Sequence, residues 1–538
     1  MADPAETYTD VLVIGFGAAG ACAAIEAAEA GAEVLVVDRF AGGGASALSG
    51  GVVYAGGGTE QQRAAGVPDS EQAMYDYLRL EVGDVVAEST LRRFCAGSTA
   101  MITWLERHGV PFEGSLCPDK TSYPNDDYYL YYSGSEAAGA FRQVAPPAPR
   151  GHRAKGRGTS GRLLFARLAA AARRRGVRVL PQSRARTLLT GPDGEVTGAV
   201  LDSLRGAPAW ARVTHRLLAR YAAKPGLYVP ALGKLLNRGV AAIERGFARE
   251  LRVTARRGVV LAAGGFVANR GLMREHAPAY RGGLALGTAG DDGSGIRLGV
   301  EVGAATAALD RVSAWRFLTP PSAFLGGILV DADGRRVIDE SRYGAAVGAE
   351  LINRHGGRGW LLIDREIARE SWRTARAQSQ WFQWLQALYL LGRGRVSAGS
   401  IQAVARRAGV HPDGLAASVE AYNAAAEGGG GDPAGKPAEF LRPLRTPPYS
   451  LVDVSIRPNL GYPCPMLTLG GLVVDEDTGQ VRQGGGEPVP GLYAAGRSAV
   501  GICSRSYVSG LSLADCVFSG RRAGSHAAVP AVHGSIVD

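Results

Sequence analysis

The opening unit of the chain restricts its fold more than any other feature. Asp10-Val11-Leu12-Val13-Ile14 is an apolar run that feeds into Gly15-Phe16-Gly17-Ala18-Ala19-Gly20. An alanine-rich stretch continues to Gly31, and Glu33-Val34-Leu35-Val36-Val37-Asp38 closes the unit. This order predicts strand, glycine turn, helix and a second strand ending in an acid, which is the dinucleotide-binding fingerprint. Gly15 permits the tight turn, Gly17 lets backbone approach a pyrophosphate, and Gly20 lets the helix pack closely on the strand. Ala18 and Ala19, in the same turn, belong to the predicted cofactor contact. The helix N-terminus presents partial positive charge to the phosphates. Asp38 stands where a carboxylate accepts ribose hydroxyls.

The segment after Asp38 points to which dinucleotide is bound. A nicotinamide domain usually leads from its second strand into another helix. Here the chain enters Ala41-Gly42-Gly43-Gly44-Ala45-Ser46-Ala47-Leu48-Ser49-Gly50-Gly51. Gly44, Ala45, Ser46, Ser49, Gly50 and Gly51 can wrap a cofactor with backbone amides and two hydroxyls. The placement resembles flavoproteins of the glutathione-reductase type, where this loop passes the pyrophosphate and flavin. Arg39 offers a charge toward a phosphorylated ribose or is an ordinary exposed arginine.

Composition narrows the class. The 538 residues suffice for two or more domains, and 46% hydrophobic with 20% charged content fits a globular protein. The net charge of +10 is carried mostly by arginine clustered at 172–186 and 204–257. No nucleic-acid motif accompanies it, so solvated faces are the expectation. The six cysteines form no CxxC pair, so neither a metal site nor a disulfide framework is expected. The N-terminus lacks a secretory apolar segment and no run is long enough to span a membrane, which makes the cytoplasm the expected location.

Along the chain, residues 71–108 read as helical, and 110–150 crowd Tyr123, Tyr128, Tyr129, Tyr131 and Tyr132 into a loop. That loop is either an aromatic wall over a flat substrate or satellite packing. Gly161–Arg175 reads as an amphipathic helix. Residues 185–201 read as a hairpin about Gly191-Pro192-Asp193-Gly194, with a backbone contact to the adenine near Ala185. Residues 205–257 look like an inserted excursion. Its basic amphipathic helix, over 225–250, either rests on a membrane surface or packs on its own domain. Val259–Phe266 reads as a buried strand ending at Ala263, Gly264 and Gly265, and Gly290-Asp291-Asp292-Gly293 opens a helix. Met466–Asp475 and Gly491–Gly496 read as a strand pair. Leu511–Gly524 reads as a helix whose N-terminus, with Ser512 and Leu513, points at the flavin pyrimidine carbonyls. Gly428-Gly429-Gly430-Gly431 reads as a mobile surface loop. The predicted architecture is α/β. A Rossmann-like cofactor domain spans 1–300 and 450–538, and an inserted α+β cap spans 301–449.

Taken together, GFGAAG, VVD, GGGASALSGG, LAAGGF, GDDGSG, TLGGLVVD, PVPGLYAAG and GLSLADCVFSGRRAG resemble the fumarate reductase/succinate dehydrogenase flavoprotein superfamily, which includes the 3-ketosteroid dehydrogenases. The resemblance implies FAD contacts at the residues above and at Ala263, Gly264, Asp292, Gly496 and Arg497. Arg497 stands where many members carry glutamate. Residues 42–51 hold no histidine, so the implied FAD is non-covalent. No His-Pro-Thr segment of the fumarate type is present. Ser504-Arg505-Ser506-Tyr507-Val508-Ser509-Gly510 resembles the segment of Δ4-(5α)-dehydrogenases with tyrosine and serine two apart. Asp339-Glu340-Ser341-Arg342-Tyr343 resembles the cap segment that supplies a further tyrosine.

Placing a C=C bond beside a ketone removes a proton from the α-carbon and a hydride from its neighbour. A donor at the carbonyl stabilises the developing enolate, and a base must reach the α-proton. This chemistry assigns Tyr507 as carbonyl donor, Tyr343 as base or relay and Ser509 as relay, in roles open to permutation. Tyrosine suits either task if nearby positive charge or donors lower its pKa, with Arg342 and Arg505 either raising the local potential or simply exposed. The implied substrate is an apolar, steroid-like ketone, with an external electron acceptor. Rival readings are an ene-reductase of the fumarate type, a tailoring oxidase of a polyketide or terpenoid ketone, and a non-enzymatic flavin module.

Overall fold

The structure, a computed structural model, describes residues 5–226, 228–428 and 430–530. Ala5–Ile14 forms the central strand of an eight-stranded sheet. It pairs in parallel with Val34–Asp38 on one side and with Arg249–Leu261 on the other. Arg178–Pro181 extends the sheet beyond Val34–Asp38, and Pro488–Ala494 joins Arg249–Leu261 in parallel. At the centre of the sheet Val11–Ile14, Val34–Val37 and Val259–Leu261 are apolar runs without alternation because both faces are covered. Val11, Leu12, Val13, Val36, Val259 and Val260 are all fully buried.

The first helix, Ala18–Glu29, starts at the end of the central strand. A Cβ on Gly20 would lie 1.9 Å from the Gly15 carbonyl oxygen, so only glycine allows this helix to sit so close to the turn. The other face of the helix meets the C-terminal helix, Leu511–Ala527. Here again backbone meets backbone. A Cβ on Gly520 would lie 2.5 Å from the Ala19 oxygen, and one on Gly524 would lie 2.2 Å from the Ala23 oxygen.

Ser183–Thr190 and Val196–Ser203 form the expected antiparallel hairpin, and the second of them pairs with Arg249–Leu261. Between Val196–Ser203 and Arg249–Leu261 the chain makes a helical hairpin, Ala209–Ala223 and Pro230–Phe247. Arg249 pairs with Ser203, and residues from Leu251 on pair in register with the central strand, so we propose that the excursion is narrower than 205–257. Leu227, within it, lies outside the described residues, as does Gly429 of the four-glycine loop.

A four-stranded antiparallel sheet, ordered Ile328–Val330, Trp360–Ile363, Tyr449–Asp453 and Arg395–Ala398, forms a second unit with the helices between residues 344 and 426. Its apolar core draws on residues from Leu318 to Tyr462. Thr306–Ala307 and Val312–Ala314 instead pair with Gly471–Leu472 and Pro465–Thr468. On this pairing we propose that the cap begins near Leu318 rather than at residue 301. The same pairing corrects the expected partnership of 466–475 with 491–496: Pro488–Ala494 belongs to the main sheet, and Pro465–Thr468 to a small separate one. Both runs are apolar and glycine-ended, so neither carries a local signal for its partner.

The glycine crossing of the two helices leaves no room for a side chain. Gly524→Val is expected to lower stability by about 3 kcal/mol in equilibrium urea unfolding. Gly485→Ala, at an exposed turn with nothing in reach of a Cβ, is expected to change stability by less than about 0.5 kcal/mol.

Candidate active site

A cleft of about 800 Å³ runs along the carboxyl ends of the parallel strands, where ligands bind in open α/β sheets. Its floor is Gly15, Gly17, Ala18 and Ala19. Gly15 has φ +105°, which favours glycine. A Cβ on Gly17 would meet nothing closer than Ser46 Oγ at 3.5 Å, an ordinary contact without a clash. Ser46 Oγ accepts a hydrogen bond from the Ala18 N–H at 3.1 Å and ties the serine–glycine loop to the first helical turn. Ser49 donates to the Ser46 carbonyl at 2.8 Å. Gly44, Ala45, Ser46 and Ser49 line the cleft. Gly50 and Gly51 lie behind it: Gly50 packs on the Tyr123 ring and Gly51 on the backbone of Ser160.

Asp38 lines the cleft, and its carboxylate already organises the turn. Oδ2 accepts from Phe16 N–H at 2.9 Å, and Oδ1 from Phe40 and Gly42 N–H at 2.8 and 3.2 Å. Burial pushes its pKa up, partly offset by these three donors. Arg39 also lines the cleft but is engaged: Glu244 of the helical hairpin binds it with both oxygens at 2.9 Å, and Asp292 approaches at 3.3 Å. Glu244 also meets His215 at 3.2 Å, and the other nitrogen of that ring meets Gln182 at 3.0 Å. Gln182 holds φ +56°, a conformation a non-glycine residue adopts at a cost of about 1–3 kcal/mol. The helical hairpin is thereby clamped over one end of the cleft, beside Arg184 and Ala185.

At the far wall stand Ala263, Gly264, Gly496 and Arg497. Asp292 does not line the cleft. Its Oδ1 accepts from Ser294 N–H at 3.0 Å, and its Oδ2 faces the cleft-lining Arg39 and Arg184 at 3.3 and 3.5 Å. Its neighbour Asp291 does line the cleft and pairs with Arg497 at 2.5 Å. Arg497 Nη1 is buried without a partner in the protein. Ser512 and Leu513 reach the cleft from the start of the C-terminal helix.

Tyr507 lines the same cleft, stacked on Trp315 with ring centroids 5.2 Å apart. Tyr343 lies behind it at 6.2 Å and packs on Phe317 at 5.5 Å. Its hydroxyl lies beside Ser509. Ser509 Oγ bonds Tyr131 Oη at 3.0 Å. Three phenols and one alcohol thus converge on the Tyr507–Gly510 segment, although Tyr343 and Ser509 are not on the main cleft surface. Burial pushes all three phenol pKa values up from 10, contrary to the lowered values expected from the sequence. The arginines proposed to lower them are turned elsewhere: Arg505 is exposed and pairs with Asp84 at 2.9 Å, and Arg342 stacks on Phe141 and faces Glu81.

Tyr131, Trp315 and Asp291 were not singled out in the sequence. Tyr131 was one of five tyrosines in an ambiguous loop. Most of that loop packs: Tyr123 and Tyr131 cluster with Val52 and Cys117, and Arg153 lies over the Tyr123 and Tyr129 rings.

A parallel sheet with a phosphate-facing glycine turn, a serine–glycine loop and hydroxyl groups at the cleft's end defines a flavin-dependent oxidoreductase. The family model described as FAD binding domain matches residues 10–510, and the chain belongs to that family of FAD-dependent enzymes. It is 39% identical over 500 residues to the 3-oxo-5-alpha-steroid 4-dehydrogenase of Comamonas testosteroni, covering 91% of this chain and 92% of that protein. It is 32% identical, with a TM-score of 0.82 over 98% of both chains, to the 3-ketosteroid-delta4-(5alpha)-dehydrogenase of Rhodococcus jostii RHA1 in complex with 4-androstene-3,17-dione. A flavocytochrome c3 fumarate reductase in its open conformation shares the fold at TM-score 0.63 and 23% identity, covering 98% of this chain and 79% of that one.

The clamp on the helical hairpin gives a pH prediction. Burial opposes charge on Glu244, but the bonds from His215 and Arg39 outweigh it and hold its pKa down at about 2, against 4.5 ordinarily. The folded value lies below the unfolded one, so the stabilisation is complete above pH 4.5 and lost as pH falls toward 2. Glu244→Gln is expected to remove about 3 kcal/mol at neutral pH and to flatten the acid limb of stability in this window. Urea unfolding at a series of pH values checks this.

Proposed function

We propose that this protein is an FAD-dependent 3-ketosteroid dehydrogenase of the Δ4-(5α) type, placing a double bond between the α- and β-carbons of a 3-ketone in a steroid-like substrate. The observation that carries the reading is the meeting of Tyr507, Ser509, Tyr343 and Tyr131 beside an aromatic cleft wall formed by Trp315. The similarity to two enzymes named for this reaction supports it.

FAD bound in the cleft supplies the two-electron acceptor that takes the hydride from the β-carbon. The residues present fit it. Gly17 leaves space where a phosphate would approach, the Ala18–Ala19 turn opens a helix toward it, and Arg497 keeps an unpartnered buried nitrogen. The loop from Gly42 to Gly51 contains no histidine, so we assign non-covalent binding.

Tyr507 donates its hydroxyl hydrogen bond to the substrate carbonyl. Burial keeps this phenol protonated well above neutrality, so it is a donor at every working pH and not a base. As negative charge grows on the carbonyl oxygen, the bond strengthens. Ser509 relays the α-proton: as it takes that proton it passes its own to Tyr343 or Tyr131, the phenols beside it, and the phenol in turn releases its hydroxyl proton toward water. A serine alone is too weak a base, and a relay lets the proton move onward as the enolate forms. Electrons then leave to an external acceptor. No nucleic acid takes part. We assign a cytoplasmic location, whose reducing conditions suit six buried free thiols.

The fumarate-type alternative needs cations free to clamp a dicarboxylate. Arg316, close in sequence to Trp315, is buried over the Tyr462 ring and bonded to the Tyr462 and Ser455 carbonyls. Arg505 is paired with Asp84, and Arg342 lies over the Phe141 ring. This favours a neutral ketone.

Turnover of a 5α-reduced 3-ketosteroid with a dye acceptor is expected to yield the 4-ene-3-ketone. Tyr507→Phe is expected to retain FAD and lose about two orders of magnitude or more in kcat. Normal turnover in this variant removes Tyr507 from the mechanism. Because burial raises the Tyr507 pKa above 10, kcat is expected to show no alkaline loss from this group up to about pH 10. A pH–rate profile with a descending limb near pH 8 would contradict the donor role.

A further inference from the structure

We propose that the outer face of the helical hairpin formed by Ala209–Ala223 and Pro230–Phe247 docks on a bilayer carrying anionic lipid. Eight of the eighteen exposed large apolar side chains among the described residues lie between positions 210 and 235, so the hairpin concentrates exposed apolar surface that elsewhere is scattered. On the first helix these are Trp210, Val213, Leu217 and Tyr221, spaced three, four and four apart, which puts them on one stripe. Tyr228, Val229, Leu232 and Leu235 continue the surface through the turn into the second helix.

Apart from Trp210, whose ring meets Phe247 at 5.0 Å, this stripe is separate from the surface that holds the hairpin in place. Inward packing uses Ala211 and Ile243 with Leu204 and Ala207, and His215 and Glu244 make the polar clamp to Gln182 and Arg39. The apolar surface is therefore not consumed by the domain's own core, as it is in an ordinary amphipathic helix.

Charge identifies the occupant. Between positions 205 and 247 the sequence carries eight basic residues (Arg205, Arg212, Arg216, Arg220, Lys224, Lys234, Arg238 and Arg245) and one acid, Glu244. That acid is turned inward onto Arg39, and Arg216, Arg220 and Lys224 line the cofactor cleft, which leaves five exposed cations, Arg205, Arg212, Lys234, Arg238 and Arg245, for the outer face. Aromatic and aliphatic side chains ringed by cations match the headgroup boundary of an anionic membrane. A second copy of the same face would bring like charges together.

The test uses FAD-loaded protein, sedimented with vesicles of phosphatidylcholine alone or with about one-third phosphatidylglycerol. Binding to the anionic vesicles is expected, weakening as salt rises. Leu217→Ser/Leu235→Ser is expected to lower the bound fraction's partition coefficient about tenfold while flavin content and ketone turnover in solution are retained. Arg212→Glu/Lys234→Glu/Arg238→Glu is expected to reduce binding to the level seen on neutral vesicles. It decides the matter if the serine variant fails to hold flavin. Absence of binding by the wild type, or binding that survives both sets of substitutions, overturns the proposal. So does a dimer in sedimentation velocity that the serine variant abolishes without any lipid binding. None of these readouts depends on which ketone the enzyme oxidises.

Discussion

The close crossing of two helices sets the geometry of everything else. The first helix begins at the nucleotide turn, and the C-terminal helix begins immediately after the Tyr507–Gly510 segment. Their backbones touch at Gly520 against Ala19 and at Gly524 against Ala23, and a Cβ on Gly496 would lie 2.9 Å from that of Ala19. Glycine at two positions lets two helices distant in sequence meet backbone to backbone, and Gly496 brings a third segment against Ala19. The end of the chain is thereby held beside its beginning. The phosphate-facing turn and the phenol that faces the cleft become parts of one rigid surface.

Upon that frame the chain builds two environments of opposite character. One end of the cleft is polar, where Asp38, Arg39, Glu244, His215 and Gln182 form a connected network. The other is aromatic and largely dry, where Trp315, Tyr507, Tyr343 and Phe317 pack ring on ring. The dryness explains why the phenols are held protonated and why positive charge is not needed to make them useful. A neutral hydroxyl aimed at a carbonyl in a low-dielectric pocket is a stronger donor to a developing oxyanion than the same group in water.

Much of this was legible in the sequence. The nucleotide fingerprint combined spacing, small residues and a terminal acid, and each of these has a local physical cause, so the strand–turn–helix–strand order follows directly. The 183–203 hairpin was equally clear because its turn chemistry is local. What could not be read depended on distant partners. The pairing of Pro465–Thr468 with Val312–Ala314 joins segments far apart in sequence. The choice between Asp291 and Asp292 depends on which of two adjacent carboxylates meets Arg497 and which meets Arg39 and Arg184. The contribution of Tyr131 was invisible because five tyrosines in one irregular loop give no period to show which one turns inward. The lowered phenol pKa values expected from Arg342 and Arg505 failed for a similar reason: sequence adjacency to Tyr343 and Tyr507 says nothing of where a long side chain points.

The central claim is that the cleft holds FAD against a site that oxidises a neutral ketone. It is tested most directly by mixing oxidised holoprotein with a 5α-reduced 3-ketosteroid without oxygen or any other acceptor. The account predicts that the flavin absorbance band bleaches in a single turnover with formation of the 4-ene-3-ketone. A band that stays intact with the steroid, combined with rapid reoxidation of the pre-reduced protein by fumarate, would contradict it.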